Sequence, residues 1–466
     1  MAAWRTHAAR LAALALTVGV AGVGAPTGAD AGEDAARCPV NALDRADEPV
    51  EITFWHVQQV RNEEILVDLI ERFEARQDRV RVELVNQVTY PDIFQKYQAA
   101  LGTGDLPDLV QMDEASIQSL VDSQSTFPLE SCVAADDYSL DDFLPQAIDH
   151  YTTEGVLRAM PWTVSNPVLI YDKNDFRAAG LDPERPPATL DEVTDYSRQL
   201  VDAGVSRYGI SLRAEASVNE AFYAKADQLY LNHENGREAR ATKALLDNRT
   251  GREIWTWWDE TVASGLGLFT GSQPENFDNL FALGTGDAAM TIDASSVIGS
   301  TFAVLESGEF SDVDLGVGPL PGLEPGGGVP VADASLWIPE TGSNERAAGA
   351  WELVKFLSAP QRQATFSVGT RGGFIPIRQS AVEDPALQTM WAESPELRVP
   401  FDQLEAGAQS KAALGAVTGD YSGLRAAVRD ALTAMFAGDL SPRRALARAE
   451  RDANDAIREY NDRVDA

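Results

Sequence analysis

Hydrophobic positions along the chain follow two periods that take turns. Val50-Glu51-Ile52-Thr53-Phe54-Trp55 alternates and predicts a strand, and residues 80–85 alternate again. Between them Ile65, Leu66, Leu69, Ile70 and Phe73 recur at helical spacing within 63–76. A helix is predicted over 93–101, ending at Gly102 and Gly104, then a short buried strand over 108–112. After Pro161 the pattern restarts with a strand at 168–171 and a helix at 190–203, opened by Thr189 and Glu192 in capping-box spacing. Further helices are predicted at 219–232, 252–264, 346–358, 421–437 and 442–463, and further strands at 288–292, 315–319 and 334–338. Strands alternating with helices imply an α/β chain with mostly parallel sheets. Two α/β halves joined by more than one crossover is the simplest arrangement.

Composition adds a compartment. Arg5 and Arg10, an apolar run over 11–23, and Ala29-Asp30-Ala31 make residues 1–31 a secretory signal peptide. The run is short and broken by glycine, and no other stretch approaches the roughly 18 apolar residues of a membrane span. Residues 32–48 form an acidic leader. Cys38 has two readings: a lipid attachment site, or a disulfide with Cys132, the only other cysteine. Arg37, where a lipidation site wants a small residue, and the exported setting favour the disulfide. A formal charge of −34 without a cluster of Lys and Arg excludes nucleic acid as a partner.

Catalytic and cofactor signatures are missing. His56, His150 and His233 have no metal-ligand spacing, so no metal is expected. Gly102-Thr103-Gly104 and Gly284-Thr285-Gly286 lack the rest of a phosphate or dinucleotide loop, and no Gly-x-Ser-x-Gly elbow occurs. No cofactor is expected. What remains is a set of rings and polar groups at predicted strand ends: Trp55, Tyr90, Glu114, Trp162, Ser165, Asp293, Ser295, Ser296, Asp333, Trp337, Phe374 and Arg425. Strand ends of open α/β sheets face the ligand crevice. Rings there stack on sugar C–H faces, while carboxylates and hydroxyls bond ligand hydroxyls. Trp55 and Trp337 fit a core role equally well, and Trp255, Trp257 and Trp258 read as packing.

Several of these stretches resemble, in order, the extracellular solute-binding proteins of carbohydrate ABC importers. They are Phe54-Trp55-His56, residues 104–110, Met160-Pro161, and Val168-Leu169-Ile170-Tyr171-Asp172-Lys173 followed by residues 179–189. Gly286-Asp287-Ala288-Ala289-Met290, residues 316–321, Ala334-Ser335-Leu336-Trp337-Ile338 and residues 373–378 continue the series. The resemblance implies a two-lobed periplasmic-binding-protein fold with a hinge crossed three times. It puts residues 49–161 and 333–358 in the first lobe and 162–332 and 359–466 in the second. It also implies capture of a carbohydrate or glycerol-phosphate-type solute for an ABC permease, without chemistry.

Within that family Asp293-Ala294-Ser295-Ser296, residues 333–337 and Tyr421-Ser422-Gly423-Leu424-Arg425 are most similar to the glycerol-3-phosphate and glycerophosphodiester branch. By that similarity Tyr90 faces the ligand, Glu114 holds glycerol hydroxyls, Ser165 and Ser296 contribute hydroxyls, and Arg425 pairs with phosphate. Trp55, Trp162, Asp333 and Phe374 complete the expected ligand-binding set. Two departures weaken the phosphate reading. Asp333 stands where the branch carries glycine, and Phe374 where it often has tyrosine. The rival reading is a secreted carbohydrate-active enzyme with Glu114 and Asp333 as its carboxylate pair.

Overall fold

The computed structural model describes residues 38–273, 277–306 and 313–466. The expected signal peptide and residues 32–37 of the leader lie outside them. Two five-stranded sheets organise the chain. The first holds β1 (Val50–His56), β2 (Val80–Asn86), β3 (Leu109–Asp113), β4 (Met160–Ser165) and β10 (Ala332–Trp337), in the order β2-β1-β3-β10-β4. The second holds β5 (Pro167–Asp172), β6 (Tyr208–Leu212), β7 (Gly267–Phe269), β8 (Ala288–Ala294) and β9 (Leu315–Pro319), in the order β9-β5-β8-β6-β7. Each sheet has one strand running against the rest, β10 in the first and β5 in the second. These two are the strands that enter a sheet directly from the other lobe.

Strands β4, β6 and β7 go beyond the sequence reading. Strand β4 is buried at every position, so it carries no alternation to detect. Its membership moves the change of lobe. The boundary expected between residues 161 and 162 falls inside β4, and the sheets change at Asn166, between Ser165 and Pro167. The last passage also differs from the expected 358/359. The helix Pro360–Gly369 stays on the first lobe beside Arg61–Glu74, and Ile375 donates its backbone N–H to Val164 O at 2.8 Å. By Pro400 and Gln403 the chain has reached the second lobe: Asn166 Nδ2 donates to Pro400 O, and Gln403 Nε2 to Pro167 O, each at 2.8 Å.

Each lobe packs helices over its sheet. Leu66, Leu69, Ile70 and Phe73 of Arg61–Glu74 are buried in the first lobe. In the second, Trp255, Trp257 and Trp258 of Arg249–Ala263 are buried as expected, Trp255 Nε1 donating to Asn219 Oδ1 at 2.9 Å. Cys38 and Cys132 are disulfide-bonded, which leaves Cys38 no thiol for a lipid. Ala42 and Leu43 are buried just after the bridge, so the described end of the leader belongs to the first lobe. Among the described residues no helix is long and apolar enough to cross a membrane.

Candidate functional site

The carboxyl ends of β1 and β3, the start of β10 and the segments after β6 and β8 meet at a cleft of about 670 Å³ between the lobes. The first lobe supplies Gln58, Gln59 and Asn62 after β1, Tyr90, Glu114 and Asp333. The second supplies Arg213, Glu215, Glu220, Asp293, Ser296, Tyr421 and Arg425, with Phe374 near the hinge.

Local rules place each group. Thr89 caps the helix Tyr90–Thr103 by accepting the Asp92 N–H at 3.2 Å, which holds Tyr90 at the first helical position. Gln111 then orients the phenol. Its Oε1 accepts the Val57 N–H at 3.2 Å, so its Nε2 is the end that donates to Tyr90 Oη, at 3.1 Å. The Tyr90 proton is left to point elsewhere. Asp333 occupies the left-handed region at φ 67°, where aspartate is better tolerated than most residues. The pairing of β10 with β4 shifts register between Asp333 and Ser335, a bulge that re-aims the side chain, and Tyr151 Oη donates to the Asp333 carbonyl at 3.0 Å.

The charges are arranged in pairs. Arg425 donates to Glu114, and its guanidinium lies 4.5 Å from the Tyr421 ring centroid. Tyr421 Oη donates to Glu220, which also accepts the Ala416 N–H. Arg213 approaches Asp293 at 3.4 Å and Glu215 at 3.7 Å. Ser165 donates to Asp333. Burial, helped by the neighbouring carboxylates of Glu114 and Asp113, pushes Asp333 up to about 7 against the opposing Ser165 bond. Burial and Glu114 likewise raise Asp113 to about 6, opposed by Arg425. Burial and the nearby Arg237 cation lower His150, which holds the Leu414 carbonyl through Nδ1 at 2.8 Å. The carbonyl requires that nitrogen to carry the proton.

Six expected ligand residues line the cleft: Tyr90, Glu114, Ser296, Asp333, Phe374 and Arg425. Three do not. Trp55 is buried in β1 with the Lys96 ammonium 4.0 Å from its ring. Trp162 lies in the first-lobe core between Phe54 and Phe366, at ring-centroid distances of 6.0 and 5.5 Å. Ser165 is fully buried and acts on the cleft only through Asp333. Sequence reading missed Arg213, Glu215 and Glu220. The first two follow the end of parallel strand β6, a position that would have nominated them had that strand been recognised.

Residues 68–398 match the profile of the bacterial extracellular solute-binding proteins. The chain belongs to that family. The sn-glycerol-3-phosphate-binding periplasmic protein UgpB of Rhizobium meliloti is 24% identical over 421 residues, covering 89% of this chain and 95% of its own. Its counterpart in Salmonella typhimurium is 26% identical, over 88% of this chain and 93% of its own. Among solved structures, UgpB from Mycobacterium tuberculosis in complex with glycerophosphocholine superposes with a TM-score of 0.72 at 22% identity, covering 89% and 99% of the two chains. The sugar-binding protein MalE from Xanthomonas citri gives 0.74 at 20%, with the same coverage. The family member therefore has the two-lobed solute-binding fold.

Proposed function

We propose that the chain, exported by its signal peptide, is the solute-binding protein of an ABC importer. It captures a carbohydrate or glycerol-phosphate-type solute between its lobes and hands it to a membrane permease. One observation carries the reading: a single cleft of about 670 Å³ takes polar and aromatic groups from both lobes, so a ligand held there favours closure by touching both. Tyr90, Glu114 and Asp333 act from one side, and Ser296 and Arg425 from the other. Isothermal titration against sugars, glycerol-3-phosphate and glycerophosphodiesters tests it. Saturable binding without turnover is expected. Hydrolysis of a glycoside without stoichiometric capture would establish the enzyme reading instead.

Charge favours a neutral, hydroxyl-rich solute over a phosphate monoester. Five carboxylates (Glu114, Glu215, Glu220, Asp293 and Asp333) line the cleft against two guanidiniums, and both guanidiniums already face carboxylates. An incoming phosphate would have to displace Glu114 from Arg425 beside Asp333. The glycerophosphocholine bound in the Mycobacterium tuberculosis UgpB structure supports a second reading, a phosphodiester, whose single charge the Arg425 guanidinium is suited to meet.

A further inference from the structure

The rim of the cleft has a feature that ligand capture in the interior leaves unexplained. Val60 and Val88 both occupy positive φ, at 47° and 68°. For β-branched residues this is a sparsely populated conformation that persists only where the surroundings enforce it. Both are also exposed, at 81% and 59%. The Val88 conformation is not left loose. Asn86 Oδ1 accepts the Val88 N–H at 2.7 Å while its Nδ2 donates to Gln58 O at 2.6 Å. Gln59 Nε2 in turn donates to the Val88 carbonyl. The turns after β1 and β2 are thus stitched into one edge that holds an apolar side chain in water.

Phe277 of the second lobe, 49% exposed, lines the same cleft as Val88. Val57 and Val297 extend the apolar surface inward from either lobe. The cleft volume of about 670 Å³ lies well inside the range of pockets that bury drug-sized ligands, and a single glycerol or monosaccharide unit would fill only part of it.

We propose that the mouth of the cleft is a second ligand subsite, where Val88 and Phe277 clasp a C–H-rich portion of the solute while the interior carboxylates hold its hydroxyls. That portion is either the face of a further sugar ring or an alkyl or aryl substituent. The subsite rests on the solute-binding function proposed above and adds a length requirement to it.

The test is isothermal titration of ligand pairs against the full chain: glucose and maltose, methyl and phenyl glucoside, glycerol-3-phosphate and glycerophosphocholine. The longer member of a pair that binds should do so at least tenfold more tightly. That ratio should fall to threefold or less in the Val88→Ser/Phe277→Ser double variant. A gain confined to maltose assigns the mouth to a second ring, and one confined to phenyl glucoside or glycerophosphocholine to a substituent. Val88→Gly separates function from packing: relief of the left-handed valine should raise the melting temperature while the pair ratio falls. Equal affinities within every pair, or a ratio that survives the double variant, would overturn the subsite and leave interior capture standing. No binding by any member of any pair would overturn both.

Discussion

Glu114 and Arg425 form an ion pair across the cleft, Glu114 following β3 of the first lobe and Arg425 on the helix Tyr421–Phe436 of the second. Their side chains are 10% and 23% exposed, so the pair is largely shielded from water. The pair joins the two lobes inside the cleft that both residues line.

Separating that pair should therefore loosen closure. Glu114→Gln and Arg425→Gln should each destabilise the closed form, because each leaves the other charge half-buried without its partner. The double variant should recover part of the loss, with a coupling of about 0.5–3 kcal/mol in a double-mutant cycle read by denaturant unfolding. Small-angle scattering should report a larger radius of gyration for either single variant. Strictly additive effects with no change in dimensions would mean that the pair does not hold the lobes together.

How far the site could be read from sequence depends on what each residue's neighbours are. Glu114, Ser296 and Arg425 were legible because the stretches around them resemble one branch of the family, and the structure brings all three to the cleft wall. Trp55 and Trp162 were misread because the end of β1 and the whole of β4 are buried on both faces. Phe54, Trp55 and His56 are all buried, so the period-two signal that would say which face a ring takes is lost. Glu220 was invisible for a different reason. It lies mid-helix in Ala216–Lys225, nearly all of which is buried, and its role comes from Ala416 and Tyr421, roughly 200 residues away. The lobes themselves were legible from the alternation of strands and helices. The hinge at Asn166 was not, because β4, buried at every position, carries no alternation to mark a strand ending at Ser165.

Asp333 gives the protein a pH dependence with a definite sign. Its pKa of about 7 in the fold lies above the ordinary carboxyl value near 4. Between those values the folded chain keeps a proton that the unfolded chain has released. The contribution of this group to stability is thus full below about pH 4, falls as pH rises toward 7, and stays lost above. Asp113, raised to about 6, acts in the same direction. The wild-type melting temperature should fall more between pH 5 and 8 than that of Asp333→Asn, and parallel curves would count against this role. A solute donating hydroxyls to Asp333 should bind more tightly at pH 8 than at pH 6, a difference Asp333→Asn removes.

The Gln111 amide leaves the Tyr90 proton as a donor into the cleft. Tyr90→Phe should keep the ring and cost one neutral hydrogen bond, about 0.5–1.5 kcal/mol of affinity for whichever solute the titration panel identifies. Gln111→Glu replaces the amide N–H with an acceptor, so the Tyr90 proton turns toward the introduced carboxylate and is withdrawn from the ligand. Its affinity loss should match that of Tyr90→Phe, and the two losses should not add. Full additivity would place the phenol proton outside the ligand contact.

The disulfide offers a prediction independent of any ligand. Cys38 and Cys132 are 94 residues apart in sequence, with Cα atoms 4.9 Å apart, so the bridge closes a long loop that includes β1, β2 and β3. Cross-linking a loop of that length restricts the unfolded chain and is typically worth about 2–4 kcal/mol. The bridge also pins Ala42 and Leu43, whose short helical turn packs on the helix Asn344–Leu357. Cys38→Ser/Cys132→Ser should lower the stability of the first lobe by that amount in denaturant unfolding. Ligand affinity should hold, because neither cysteine lines the cleft. Adding a reductant should move the wild type toward the variant and leave the variant unmoved. If the two proteins unfold together without reductant, the bridge contributes nothing, and the packing of Ala42 and Leu43 alone holds the amino-terminal segment.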